Sequence, residues 1–256
     1  FESVKQLFTQ QMQTLAEENA QLCVYHRGKK VVDLWASATG DETFGADSLV
    51  NIFSSGKSLE AIAVGVLVSR GLLEYDATIT QYWPEFGAKG KDGVTVADLM
   101  RHEAGLANFD TSIDADDLFT ENIKKNAVGQ VIEQHGLSYR PGGKREYHAI
   151  TRGWIVNELF RRVDPAGRTI GEFLREEISG PLGADVLVGV QEQERRRMFP
   201  VKPLGFGYQI WQSLVPRFLG RRVLHNVFQL VARIGKMIPA FIKGGRKPSP
   251  PPAFSE

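Results

Sequence analysis

Apolar residues recur at helical spacing over residues 3–18, where Val4, Leu7, Phe8, Met12 and Leu15 share one stripe, so the chain is expected to open with an amphipathic helix packed on another element. The next run, LCVYHRGKKVVDLWAS over 22–37, changes period. Two β-rich segments flank Arg27-Gly28-Lys29, a short glycine-containing loop that predicts a hairpin. A polar connection follows Gly40, then the apolar run Leu49 to Phe53. From Ser54 the spacing is helical again: Leu59, Ile62, Ala63, Val66 and Leu67 form one stripe, Ser54 and Ser55 are cap-type residues and Gly71 is a stop, which predicts a buried helix at about 54–70. Leu72 to Trp83 reads as a turn and a short helix ended by Pro84, and Thr95 to Met100 as a helix leading into His102-Glu103-Ala104-Gly105-Leu106. One helix is expected over 116–135, a loop at Pro141-Gly142-Gly143, and a further helix over 149–163 with Trp154, Ile155, Leu159 and Phe160 inward. No internal repeat is visible.

Composition narrows the class. A chain of 256 residues, 42% hydrophobic and 24% charged, with 4 Trp and 15 Phe, can bury a large core, and one catalytic domain is the default at this length. The single cysteine, Cys23, cannot form an intrachain disulfide and is read as a buried, inert thiol. No Cys/His cluster offers zinc spacing, and there is no Walker-type loop, Rossmann fingerprint or Gly-x-Ser-x-Gly elbow, so neither metal nor organic cofactor is expected, nor a nucleic-acid partner. Phe1 stands at the start, and FESVKQLFTQQMQTL lacks the layout of a secretory signal. The natural start is expected to be missing, and no compartment is read from the sequence. No window reaches the roughly 18 consecutive apolar residues of a membrane-spanning helix.

Charge is unevenly placed. Residues 1–194 hold 19 Lys/Arg against 29 Asp/Glu, whereas residues 195–256 hold 12 against 1. Three regions follow: a folded region at 1–194, a basic amphipathic helical segment at 195–247, and a proline-rich tail at 248–256.

The chemistry centres on Ser54-Ser55-Gly56-Lys57. Residues three apart on a helix share a face, so a lysine at this spacing stands beside the serine. A serine hydroxyl needs a base to become a nucleophile, and a lysine in a dry pocket gives up its charge readily enough to take part. The helix N-terminus adds a dipole that favours developing negative charge. A capping serine followed by a snorkelling lysine gives the same four letters.

Three ordered blocks decide between these readings. LVNIFSSGKSLEAIAVGVLVSRGLLEYDATITQYWPEF, VTVADLMRHEAGL and PGGKREYHAITRGWIVNELFRRV together resemble the serine β-lactamase-like superfamily, meaning β-lactamase-related esterases and the relatives of class C β-lactamases and penicillin-binding proteins, over roughly residues 1–190. The resemblance implies an α+β fold, an antiparallel sheet with a helical region. It places Ser54 on the acylated serine, Lys57 on the motif lysine and Tyr147 on the tyrosine of a Tyr-x-Asn/Ser motif, whose phenol can pass a proton from the serine to the leaving group. Ala149 stands at the third position of that motif, where the family has Asn or Ser. His102 is read as a loop histidine bonded to backbone, His148 as pointing away from Tyr147, and Glu103, Asp110 and the run Asp114 to Asp117 as solvated loop charge. The family's third motif lies on a strand opposite the serine, and no such strand is apparent. Lys243-Gly244-Gly245 runs straight into RKPSPPP, where proline removes sheet donors. The C-terminal strands are therefore expected to be missing, which leaves the hairpin with an open edge and a route to homo-oligomers.

The function implied is hydrolysis of a small ester or amide through an acyl-Ser54 intermediate, closer to the esterase branch than to antibiotic resistance. The alternative is an inactive β-lactamase-like scaffold or binding protein, or a fragment without activity. Within the basic segment, residues 217–247 combine an apolar face (Val223, Val227, Leu230, Ile234 among others) with Arg221, Arg222, Arg233 and Lys236. That layout fits an anionic membrane surface or, as soluble amphipathic stretches more often do, a cap that packs its apolar face on the hydrolase.

Overall fold

The computed structural model describes residues 1–219, which form two compact units, one from residues 1–51 with 192–219 and one from residues 52–191. Most of the basic segment, residues 220–247, the Lys243-Gly244-Gly245 sequence and the tail at 248–256 lie outside the described residues.

In the first unit, α1 (Glu2–Thr14) lies against a hairpin of β1 (Asn19–His26) and β2 (Lys29–Ser37). The strands are antiparallel, and His26 faces Lys29 across a two-residue turn in which both Arg27 and Gly28 have positive φ. This is the turn whose twist matches that of paired strands. Of the α1 stripe only Met12 is buried; Leu7 and Leu15 stay exposed. Alternation along the strands corrects the reading of Cys23. Leu22, Val24, Val32 and Leu34 turn to one face and are wholly or partly buried, so Cys23, opposite Asp33, is on the other face and exposed. The later part of this unit is tied to it by Leu49, whose N–H donates to Arg197 and whose carbonyl accepts from Phe199, and by an edge-on contact of Phe44 with Phe199. A helix, Phe206–Leu214, follows.

The second unit holds a core built on two helices, α2 (Lys57–Ser69) and, further along, the helix over 151–163. Between them come α3 (Val96–Met100), α4 (Thr120–Lys124) and α5 (Ala127–Gln134); α6 is Thr151–Val163 and α7 is Ile170–Leu174. Ala63, Val64 and Leu67 of α2 pack with Ile155, Val156, Leu159 and Phe160 of α6 and with Phe173 of α7. Fully burying one such large side chain stabilises the fold by roughly 1.5–3 kcal/mol, so this stripe holds α2 against α6 and α7. Ile62, expected on the same stripe, is 48% exposed, because the buried sector is centred on Ala63 and Leu67.

Several boundaries differ from the sequence reading: the opening helix ends at Thr14 rather than 18, and Pro84 starts a 3-10 stretch, Pro84–Gly90, rather than ending a helix. The expected helix over 116–135 is interrupted: a short turn of helix, Ala115–Leu118, precedes α4, and α4 is separated from α5 by Asn126 at φ 69°. Asparagine tolerates the left-handed region, and one such residue ends a helix. The helix expected from Ser54 instead begins as a 3-10 turn, Phe53–Gly56, and becomes α-helical at Lys57; Ser54 and Ser55 make no capping bond. By contrast α3 starts with a capping box, Thr95 and Asp98 each accepting from the other's N–H.

The turn after α3 is held by close backbone approach. Gly105 has φ 77°, and a Cβ there would lie 2.3 Å from the carbonyl oxygen of Tyr139. Gly71, at φ 68° after α2, has open space around the same position. Gly71→Ala is expected to cost about 1 kcal/mol from backbone conformation alone. Gly105→Ala adds a clash and is expected to cost at least about 2–3 kcal/mol, read as a larger drop in the urea midpoint. Equal midpoints for the two variants would contradict the close approach.

Candidate active site

All three residues singled out from the sequence meet in the second unit. Ser54 ends up exposed because Phe53, immediately before it, takes φ 45°, a left-handed conformation that costs an aromatic residue on the order of 1–3 kcal/mol and turns the chain sharply into α2. Tyr147 comes from the loop that precedes α6. Its phenol donates to Oγ of Ser54 at 2.5 Å. Lys57, one turn along, is half-buried, with Nζ 3.4 Å from the same oxygen and 5.2 Å from the centre of the Tyr147 ring.

The departure at Ala149 has a plain structural outcome. Nζ of Lys57 donates to the Ala149 backbone carbonyl at 2.6 Å, so the third motif position holds the lysine through its main chain. The phenol of Tyr147 is held below its ordinary range first by its bond with Ser54, and then by the Lys57 ammonium and the more distant Arg152. The lysine is thus a secondary cause, and the serine hydroxyl the first.

Behind these three residues is a buried polar layer. His148 is fully buried: its Nδ1–H donates to the Glu146 carbonyl at 2.6 Å, and its Nε2 accepts from Leu106 N–H at 3.0 Å, which is the neutral form with both nitrogens satisfied. Burial holds its pKa down. His102 accepts the His148 N–H at Nδ1, 3.0 Å away, and its ring packs tilted on Tyr147 with centres 4.9 Å apart. Burial first, then the neighbouring Arg152, lowers His102 to about 4, so at neutral pH it is an uncharged acceptor. The expectation of a loop histidine bonded to backbone agrees with this geometry.

Glu103 does not fit the expected solvated loop charge. It accepts from Arg101 at 3.0 Å and from Arg145 at 2.8 Å, which ties the turn after α3 to the segment leading to Tyr147. Asp114, in contrast, is exposed, as expected. The sequence reading also passed over Arg152 and Glu60. The Arg152 side chain is 8% exposed, and its Nε and Nη2 donate to Oε2 of Glu60 at 3.1 and 2.9 Å. A signal was present: each charge stands three and four positions before buried apolar residues of its own helix, Ala63 and Val64 after Glu60 and Ile155 and Val156 after Arg152, and a fold tolerates a charge on such a face only when it is paired. Among the described residues no group of His, Cys, Asp and Glu is arranged to hold a metal ion.

Comparison with known proteins places the chain in a family. Residues 4–198 match the Beta-lactamase family model. Esterase/beta-lactamase LipL of Mycobacterium tuberculosis (strain ATCC 25618 / H37Rv) is 38% identical over 169 residues, 65% of this chain and 38% of that protein. A penicillin-binding protein homologue from Caulobacter crescentus superposes with a TM-score of 0.71 at 33% identity, over 80% of this chain and 54% of its own. A family VIII carboxylesterase superposes with a TM-score of 0.71 at 31% identity, over 79% of this chain and 55% of its own. The chain therefore spans well under two thirds of each of these relatives. The family match extends over far more than half of this sequence and the solved structures share its fold, so the chain belongs to the Beta-lactamase family and has the β-lactamase/penicillin-binding-protein-like fold.

Proposed function

We propose that the protein is a serine hydrolase that cleaves small esters through an acyl-Ser54 intermediate. The observation that carries this reading is the meeting of three groups distant in sequence: the Tyr147 phenol 2.5 Å from Ser54 Oγ, with the Lys57 ammonium 3.4 Å from that oxygen. Esters are the chosen class because the relatives named above include an esterase/beta-lactamase and a carboxylesterase.

On this reading Tyr147, in short contact with Ser54, takes the serine proton as its phenolate, while Lys57 stabilises that phenolate. Ser54 Oγ forms a bond to the substrate carbonyl carbon, and the carbonyl electrons move onto oxygen. Collapse of this intermediate breaks the bond to the alcohol, which leaves with the proton from Tyr147. Water, giving its proton to the same phenolate, then attacks the acyl-serine; the bond between the acyl carbon and Ser54 Oγ breaks, Tyr147 returns its proton to that oxygen, and the acid is released. Ala149 contributes its carbonyl to Lys57 rather than a side chain to the substrate, so the site asks for fewer polar contacts on the acyl group than one with Asn or Ser there.

In the full-length protein, Ser54→Ala is expected to abolish turnover of a short activated ester and covalent labelling by a fluorophosphonate probe. Lys57→Met and Tyr147→Phe should each slow acylation by about 10²-fold or more. No labelling of the parent protein would favour an inactive scaffold instead, and unchanged labelling of Ser54→Ala would assign the nucleophile to another residue.

The lowered phenol gives a pH dependence with a definite sign. Phenolate is the reactive form, so kcat/KM is expected to fall as pH drops through a pKa below the ordinary tyrosine value of about 10. Tyr147→Phe should remove that limb of the profile, and a profile identical to the parent's would assign the base to another group.

A further inference from the structure

We infer that Arg152 is a positioning residue of this site: its guanidinium, clamped by Glu60, fixes the Lys57 turn and the His102 turn in one frame and so sets the distances of Lys57 and Tyr147 from Ser54. The inference rests on the hydrolase reading above. It starts from the way the five N–H groups of one planar fork are shared out. Nε and Nη2 engage Glu60 at 3.1 and 2.9 Å, and Nη2 also donates to the carbonyl of Lys57 at 3.1 Å. Both acceptors belong to the first turn of α2, so the guanidinium holds the turn that carries the lysine.

The other arm reaches the opposite side of the site. Nη1 donates to the Met100 carbonyl at 3.3 Å and lies 3.3 Å from Nε2 of His102. A neutral imidazole accepts at one nitrogen only, and Nδ1 of His102 already takes the N–H of His148. Nε2 therefore carries the ring's one proton, and the guanidinium charge beside it opposes a second proton at Nδ1, which keeps Nδ1 an acceptor for the residue next to Tyr147. Arg152 itself begins only three residues after Ala149, whose carbonyl receives the Lys57 ammonium. One side chain thus joins the main chain behind Ser54 to the main chain behind Tyr147, without touching either reactive oxygen.

Geometry of this kind matters because a displacement of about 1 Å in a catalytic group costs on the order of 10²-fold in rate. A lysine keeps the charge and the pairing with Glu60, but has one nitrogen and no fork. It cannot reach Glu60, the Lys57 carbonyl and the Met100 carbonyl from separate, fixed directions.

The test measures kcat, KM, the fluorophosphonate acylation rate and the thermal melt for full-length Arg152→Lys, for the double variant Arg152→Gln/Glu60→Gln, and for Ser54→Ala. Arg152→Lys is expected to fold, with KM within about twofold of the parent and with kcat and acylation lowered about 10- to 100-fold. The double variant leaves no unpaired buried charge and is expected to show the same split. Parental kcat in either folded variant overturns the positioning role, as does loss of fold in both, which would assign the pair to stability alone. Activity retained in Ser54→Ala overturns the acyl-Ser54 reading instead, so the two failures are distinguishable.

Discussion

Two charges removed from water are tolerated only when each satisfies the other, and the Arg152–Glu60 pair imposes that condition on the junction of α2 with α6. Apolar packing of Ala63, Val64 and Leu67 against Ile155 and Leu159 presses the two helices together but fixes their relative position only loosely, because apolar contact is non-directional. Directed bonds from a rigid guanidinium supply what packing lacks. With α2 set, the 3-10 turn that holds Ser54 is set; with α6 set, so is the loop that ends in Tyr147-His148-Ala149.

The two histidines extend this logic. Each is held uncharged by burial, and each offers one nitrogen to a backbone N–H that would otherwise be buried without an acceptor: Leu106 for His148, His148 for His102. The result is a chain of main-chain and ring contacts running from the turn after α3 to Tyr147. Gly105 lies in the same turn, where only the absence of a Cβ allows the backbone of Tyr139 to approach. Glu103, bridging Arg101 and Arg145, closes the turn on its outer side. A tyrosine that is 53% exposed is thereby oriented from beneath, with its phenol at Ser54.

How much of this is legible in the sequence depends on the range of the interaction. The helices expected over about 54–70 and 149–163 and the hairpin expected within 22–37 are present with shifted starts, as Lys57–Ser69, Thr151–Val163 and Asn19–Ser37, because their periodicity is local. Ser54 and Lys57 can be paired from spacing alone, whereas the contact of Ser54 with Tyr147, 93 positions away, follows only from the family resemblance. The break at Asn126 is missed because asparagine is compatible with a helix interior until a positive φ is required. Cys23 is misjudged because its residue type favours burial, while its strand parity, facing Asp33, places it outside. Glu103 is read as solvated since nothing local shows that Arg145 returns to it from 42 residues away.

Ala149 shows the limit of reading chemistry from side-chain identity. As a sequence feature it looks like a loss, an alanine where an amide or hydroxyl is expected. In the folded chain the lysine needs an oxygen acceptor at that place, and every residue carries one in its carbonyl. Ala149 supplies it at 2.6 Å because the loop from Tyr147 enters α6 with that carbonyl turned towards Lys57. The entry geometry is fixed in turn by Thr151, whose hydroxyl donates to the Leu106 carbonyl at 2.7 Å, and by Arg152 one residue further on. A motif position can therefore be filled by backbone when its neighbours hold that backbone in place, and the side chain is then free to be as small as alanine.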